Sequence, residues 1–135
     1  MSGPPATWLE WVDRAALDLR AADVLLAIGG PEPIVCFLCQ QAVEKLLKAV
    51  IEKAARRPPR VHALSTLRHD ALAHRPGLPL LDVDALWLAQ FYTHTRYPHL
   101  VPLAVGPSEA VRARSIAATV WTDLVGDATA AGYRP

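Results

Sequence analysis

Apolar and polar residues follow one another along this chain with the period of a helix. Between breaks rich in proline and glycine, apolar residues recur every third or fourth position, and no long segment alternates with a period of two. We therefore predict five helices, at about 7–28, 33–55, 63–74, 82–94 and from 108 to a glycine at 126 or 132. Helices joined by short loops favour antiparallel neighbours, so the predicted fold class is all-α, an up-and-down bundle of four or five helices.

The length of the chain predicts a single unit. The 135 residues correspond to one domain, and we expect one helical domain over residues 1–135 with a core at about 8–125. Thr7 and Ser108 stand where the N-caps of the first and last helices are expected, because their hydroxyls can accept from free backbone N–H groups.

Composition narrows the class of protein. Apolar residues make up 52% of the chain, enough for a core, and the net charge of +1 gives no overall bias toward nucleic acid. The N-terminus lacks the basic start and apolar run of a secretory signal. Charges interrupt every apolar stretch before the ~20 residues that span a bilayer. We therefore predict a cytoplasmic protein without a membrane-spanning segment.

The two cysteines form a C-x-x-C pattern. Cys36 and Cys39 lie in an apolar helical run, with no second cysteine pair and no histidine pair at ligand spacing. Cysteine also packs as a small buried hydrophobe, and this interpretation is favoured over a redox or zinc role. We predict neither a metal site nor a cofactor.

The second helix carries a broad apolar face and an opposite polar arc. The polar residues of the arc are Gln41, Glu44, Lys45, Lys48 and Glu52. A solvated face with pairs at i and i+4, such as Gln41–Lys45 and Glu44–Lys48, explains the arc simply. However, Ile34, Phe37 and Ile51 lie on or beside it, which indicates a second packing surface. An interface between two copies of the chain is the commonest surface of this kind.

Three segments resemble one family. "CFLCQQAVEKLLKAVI" (36–51) resembles the second-helix signature of the HEPN domain, and "FYTHTRYPHL" (91–100) resembles its closing motif. "RVHALSTL" (60–67) is similar to the opening of its next helix, with Ala63 where the family usually has Asp. The resemblance implies a small helical bundle, frequent homodimers and a minimal nucleotidyltransferase partner in a toxin–antitoxin-like module. It also implies binding of nucleotide or RNA.

The resemblance also marks candidate ligand-binding residues. They are Gln41, Glu44, Lys45, Lys48, Tyr92, Arg96 and Tyr97. The tyrosines offer aromatic faces, and the Arg96 guanidinium matches a phosphate. A structural role stays open, in which Arg96 pairs with Glu44 or with a helix carbonyl and Tyr97 packs into the core. We expect the polar arc and Arg96 to line one groove where two bundles meet.

An enzyme is the alternative. Some branches of the family are metal-independent ribonucleases that pair an Arg with a His a few residues later. At the expected interval after Arg96 the chain has 101–103, Val-Pro-Leu. A divergent ribonuclease would therefore use Arg96 with His99 or His94, the histidine as acid or base and the arginine on the phosphate.

Two further Arg–His pairs have a suitable interval. They are Arg57 with His62 and Arg68 with His74. Both lie in or before the third helix, where the family does not place its catalytic pair. We expect His62, at the start of that helix, to cap or to pack.

Overall fold

The computed structural model describes residues 7–54, 57–97 and 104–135, without the side chains of 95 and 96. It contains α1 (Trp8–Ala27), α2 (Glu32–Lys53), α3 (Leu64–His74), α4 (Asp82–Arg96) and α5 (Pro107–Ala130). In these three ranges there is no β-strand. The predicted all-α class with five helices is confirmed, and the helix bounds lie close to those predicted from the sequence.

Helix α2 is the centre of the molecule. It packs against all four other helices, while α1 also packs on α5 and α3 on α4. Most of its residues are therefore enclosed, not only its apolar face. Ile51, which suggested a second packing surface, is buried inside its own chain, whereas Ile34 is exposed. Ala54, the C-cap of α2, is exposed.

The ends of α1 and α5 differ from the caps predicted. The backbone N–H of Gly106, the N-cap of α5, donates to Glu109 Oε1 at 2.7 Å. The Ser108 hydroxyl donates to Glu109 at 2.7 Å and lies inside the helix, so it is not the cap. Thr7 occupies the N-cap position of α1 but makes no side-chain capping bond. The N3 glutamate thus satisfies the N-cap N–H, which is one half of a capping box, while a hydroxyl cap would accept from an N–H inside the helix.

Cys36 and Cys39 are buried in the core and are not bonded to each other. Burial raises the pKa of the Cys36 thiol to about 11 and that of Cys39 to about 12. Both thiols are therefore neutral at physiological pH, and a neutral thiol is a poor nucleophile and a poor metal ligand. Their environment agrees with a packing role.

None of the described helices combines the length and the apolar character that a membrane crossing requires.

Candidate functional site

The polar arc of α2 is largely enclosed. Gln40, Glu44 and Lys48 follow one another at single helical turns, with exposed fractions of 0%, 4% and 7%. The interpretation of the arc as a solvated face is therefore wrong for Glu44 and Lys48. Burying charged side chains costs free energy unless they are paired and hydrogen-bonded, so their contacts are informative.

Glu44 is the centre of these contacts. Gln40 Nε2 donates to Glu44 Oε1 at 3.3 Å, and Lys48 Nζ donates to Oε2 at 3.2 Å. His62 Nδ1 lies 3.0 Å from the same Oε2. Gln41 Nε2 extends the chain by donating to Gln40 Oε1 at 2.6 Å. The buried carboxylate thus has three donors, and we name these five residues the Glu44 network.

His62 connects α2 with α4. It lies just before α3, and its ring stacks on Tyr92 of α4, with centroids 4.6 Å apart and planes 18° apart. A carboxylate accepts only, so the His62 proton is assigned to Nδ1 and Nε2 lies at the opposite edge of the ring. The His62 side chain remains 50% exposed. The network therefore reaches the surface through an imidazole.

Helix α1 borders the other side of the arc. Lys48 Nζ lies 5.3 Å from the centroid of the Trp11 ring, a cation–π distance. Lys45 Nζ donates to Asp18 Oδ2 at 2.6 Å. Lys45 thus pairs across to α1, and of the two pairs expected within α2 only Glu44–Lys48 forms.

The structure brings together some of the predicted ligand-binding residues. Gln41, Glu44 and Lys48 belong to one network, and Tyr92 adjoins it through His62. Tyr97, at the C-cap of α4, is exposed. Arg96 is the last residue of α4, one turn beyond Tyr92, and its side chain lies outside the described part of the chain. A groove shared by Arg96 and the arc stays a prediction.

The residues proposed for a ribonuclease are placed as follows. His99 lies outside the described residues. His94 Nδ1 donates to the carbonyl of Gln90 at 3.0 Å, which fixes its ring against its own helix. Across the described ranges, no group of three or more potential metal ligands comes together. Whether Arg96 works with either histidine stays untested.

The other two Arg–His pairs show no direct contact within the pair among the described contacts. The described ion-pair partner of His62 is Glu44, not Arg57. Arg68 lies 3.7 Å from Asp82 and donates to a backbone carbonyl, and neither contact involves His74. A joint role for either pair stays untested.

Sequence reasoning missed three contributors to the site. Gln40 and Trp11 were not selected. His62 was expected to cap or to pack, and it does pack on Tyr92, but its bond to Glu44 was not predicted. His62 contacts residues 18 positions earlier and 30 positions later, so no local pattern shows its partners. The signal that could have found this contact was that His62 and Glu44 each lie in a segment that resembles a motif of the same family. In the structure the two side chains meet.

Comparison with known proteins identifies the fold and family. The chain is similar to TT1696 from Thermus thermophilus, with 25% identity, a TM-score of 0.71 and coverage of 88% of this chain and 95% of that one. It has the fold of ST0689, an archaeal HEPN homologue, with 23% identity, a TM-score of 0.66 and coverage of 93% and 99%. No curated protein sequence matches. The HEPN domain model matches residues 8–127, and the chain belongs to the HEPN domain family.

Proposed function

We propose that this protein is the HEPN partner of a minimal nucleotidyltransferase in a toxin–antitoxin-like module. It acts as a homodimer and binds nucleotide or RNA beside the polar arc of α2, where His62 brings the Glu44 network to the surface. The observation that carries the proposal is the Glu44 network. Buried ion pairs contribute little net stability, so a buried pair whose carboxylate also binds a half-exposed histidine is weak evidence for a purely structural role. Family membership supports the kind of module.

The outer face of α1 supports a homodimer. Leu17, Val24 and Ile28 are each more than half exposed, and they recur at helical spacing on the side away from α2. We name these three residues the α1 stripe. Exposed apolar side chains grouped on one face mark protein contacts more often than isolated ones do. A face that meets its own copy about a two-fold axis buries the same residues twice.

A second apolar group supports a different partner. Val83 and Leu86 near the start of α4, and Val111 near the start of α5, are also exposed. The two helix starts are adjacent, because the Arg112 guanidinium lies 4.0 Å from the centroid of the Trp87 ring. We name Val83, Leu86 and Val111 the α4–α5 patch and assign it to the nucleotidyltransferase.

The assembly is tested by light scattering coupled to size exclusion. The protein is measured alone, and after co-expression with the product of the neighbouring gene, which the proposal expects to be a minimal nucleotidyltransferase. We expect a dimer alone and a larger complex with the partner. Leu17→Asp with Val24→Asp should give a monomer, and Leu86→Asp should lose only the partner. A wild-type monomer that ignores the neighbouring protein contradicts the proposal.

Ligand binding is tested separately. Fluorescence anisotropy with labelled mononucleotides and short single-stranded RNA should show saturable binding by the wild type. Lys48→Met alters the buried arc, while Arg14→Met removes a cation from the exposed side of α1 and serves as control. We expect weaker binding for the first variant only. Equal binding by the two variants would show that the ligand does not depend on the polar arc.

A further inference from the structure

The His62 ring is held from two sides. Glu44 occupies its Nδ1 at 3.0 Å, and Tyr92 covers one ring face at a centroid distance of 4.6 Å. Half of the side chain is nevertheless exposed. Since one face and one nitrogen are taken, the opposite face and the Nε2 edge are the parts of the ring without a described contact.

The hold on the ring is rigid. Glu44 is itself fixed by Gln40 and Lys48 on adjacent turns of the central helix. A hydrogen bond to Nδ1 sets the rotation of the ring, and the stack on Tyr92 sets its plane, 18° from that of the tyrosine. An aromatic face that is already fixed loses little conformational entropy when a ligand covers it.

We propose that the outer face of His62 is a stacking platform for an unpaired nucleobase, which would extend the Tyr92–His62 stack by one ring. The platform deepens, and rests on, the proposed binding of nucleotide or RNA. Bases stack on aromatic side chains with little sequence preference, because every base has a flat π-face. Arg60, exposed two residues before His62, is a cation available to the adjoining phosphate.

The test separates the ring from its hydrogen bond. His62→Phe keeps an aromatic face but cannot bond Glu44, whereas His62→Gln keeps a polar group for Glu44 but has no ring. We expect at least about a tenfold loss of affinity for the glutamine variant and retention within about threefold for phenylalanine, in line with the strength of base stacking. His69→Gln, at an exposed position of α3, is the matched control and should bind as the wild type does. Urea unfolding of each variant verifies that it is folded.

The ligands are a six-nucleotide RNA, the same strand with abasic sites, and AMP. The abasic strand keeps the phosphates, so it should bind at least about tenfold more weakly if stacking dominates. Binding of AMP together with the RNA identifies the site as one for free nucleotides, and binding of the RNA alone identifies it as one for a strand. Either result agrees with the platform.

Proton NMR gives a readout that a purely structural histidine would not change. Base protons of the bound ligand should shift upfield and show cross-peaks to the His62 ring protons. RNA binding that is equal in wild type and His62→Gln, or equal for abasic RNA, overturns the platform and leaves the proposed ligand binding intact. Absence of binding to every ligand overturns both, and the assembly experiments remain independent of this result.

Discussion

Two charged networks in this molecule invite comparison. The Glu44 network lies in the middle of α2, where the side chains of Glu44 and Lys48 are 5% and 9% exposed. The second, which we name the Arg75 network, consists of Arg75 just after α3, Lys53 at the end of α2, and Asp123 and Asp127 on α5. Its side chains are between 24% and 43% exposed.

The Arg75 network joins helix ends. Arg75 Nε donates to Asp123 Oδ2 at 2.7 Å and its other nitrogens donate to Asp127 Oδ2 at 2.8 Å and to the Asp123 carbonyl at 2.7 Å. Lys53 donates to the same Asp127 oxygen at 2.9 Å. These bonds tie the ends of α2 and α3 to α5. The bonds from Arg75 and Lys53 to the two aspartates join opposite charges at short distance, which makes them stronger than bonds between neutral groups.

The difference between the networks lies in burial and in what reaches solvent. The Glu44 network sets its charges where water cannot stabilise them, and it ends in an aromatic ring at the surface. The Arg75 network keeps its charges in partial contact with water, where ion pairs are weak but inexpensive. Burial and an exposed aromatic end therefore distinguish the Glu44 network from the Arg75 network, and mutations can separate the contributions of the two networks to stability.

Glu44→Ala should have the largest effect. It removes the acceptor of three bonds and leaves the Lys48 charge buried without its carboxylate. Breaking one partner of a buried ion pair costs about 3–5 kcal/mol in free energy of unfolding. Urea denaturation followed by circular dichroism measures the loss.

The control for Glu44→Ala is Glu10→Ala. Glu10 is exposed in the first turn of α1, so its removal changes the same charge at the surface. An acidic residue there contributes less than about 1 kcal/mol through the helix dipole. Similar losses in the two variants would show that burial does not distinguish Glu44.

Arg75→Ala should have an intermediate effect. The variant loses three hydrogen bonds that are partly exposed to water. Hydrogen bonds to charged groups contribute more than neutral ones, and exposure reduces them, so we expect about 1–2 kcal/mol. Arg14→Ala, at an exposed position on α1, should change stability very little. A loss as large as that of Glu44→Ala would reverse the order of the two networks.

The sequence was sufficient for the fold. Proline and glycine breaks bound five helical patterns, and each pattern forms a helix. What the pattern could not predict is that α2 is enclosed by all four other helices. A helical-wheel projection describes one helix at a time and contains no neighbouring helices. A polar arc on such a projection is therefore interpreted as exposed to solvent. Whether α1 and α4 cover that arc depends on packing between segments that are distant in the sequence.

The site was only partly predictable for the same reason. Glu44, Lys48 and Tyr92 were selected through family motifs, and they do lie around one histidine. Lys45 was selected with them but pairs with Asp18 on α1. Whether Lys45 or Lys48 joins the Glu44 network depends on which neighbouring helix each side chain meets. Such a choice is made by the tertiary structure, not by spacing along α2.

The smallest expected effect is the pH dependence of the Arg75 network. Hydrogen bonds from Arg75 and then from Lys53 lower the pKa of Asp127 from 3.8 to about 2. Between these values the unfolded chain binds the proton and the folded chain does not, so this contribution is present above about pH 4 and is lost as the pH falls toward 2. The exposure of Asp127 limits the size of this contribution to stability.

In urea titrations from about pH 5 to 2.5, Asp127→Asn should reduce the fall in stability that the wild type shows, because the amide does not titrate. Asp13→Asn, at an exposed site, should keep the wild-type slope. If Asp127→Asn keeps that slope as well, then the Arg75 network does not hold this carboxylate ionised, and its stabilising role rests on the bonds from Arg75 to Asp123.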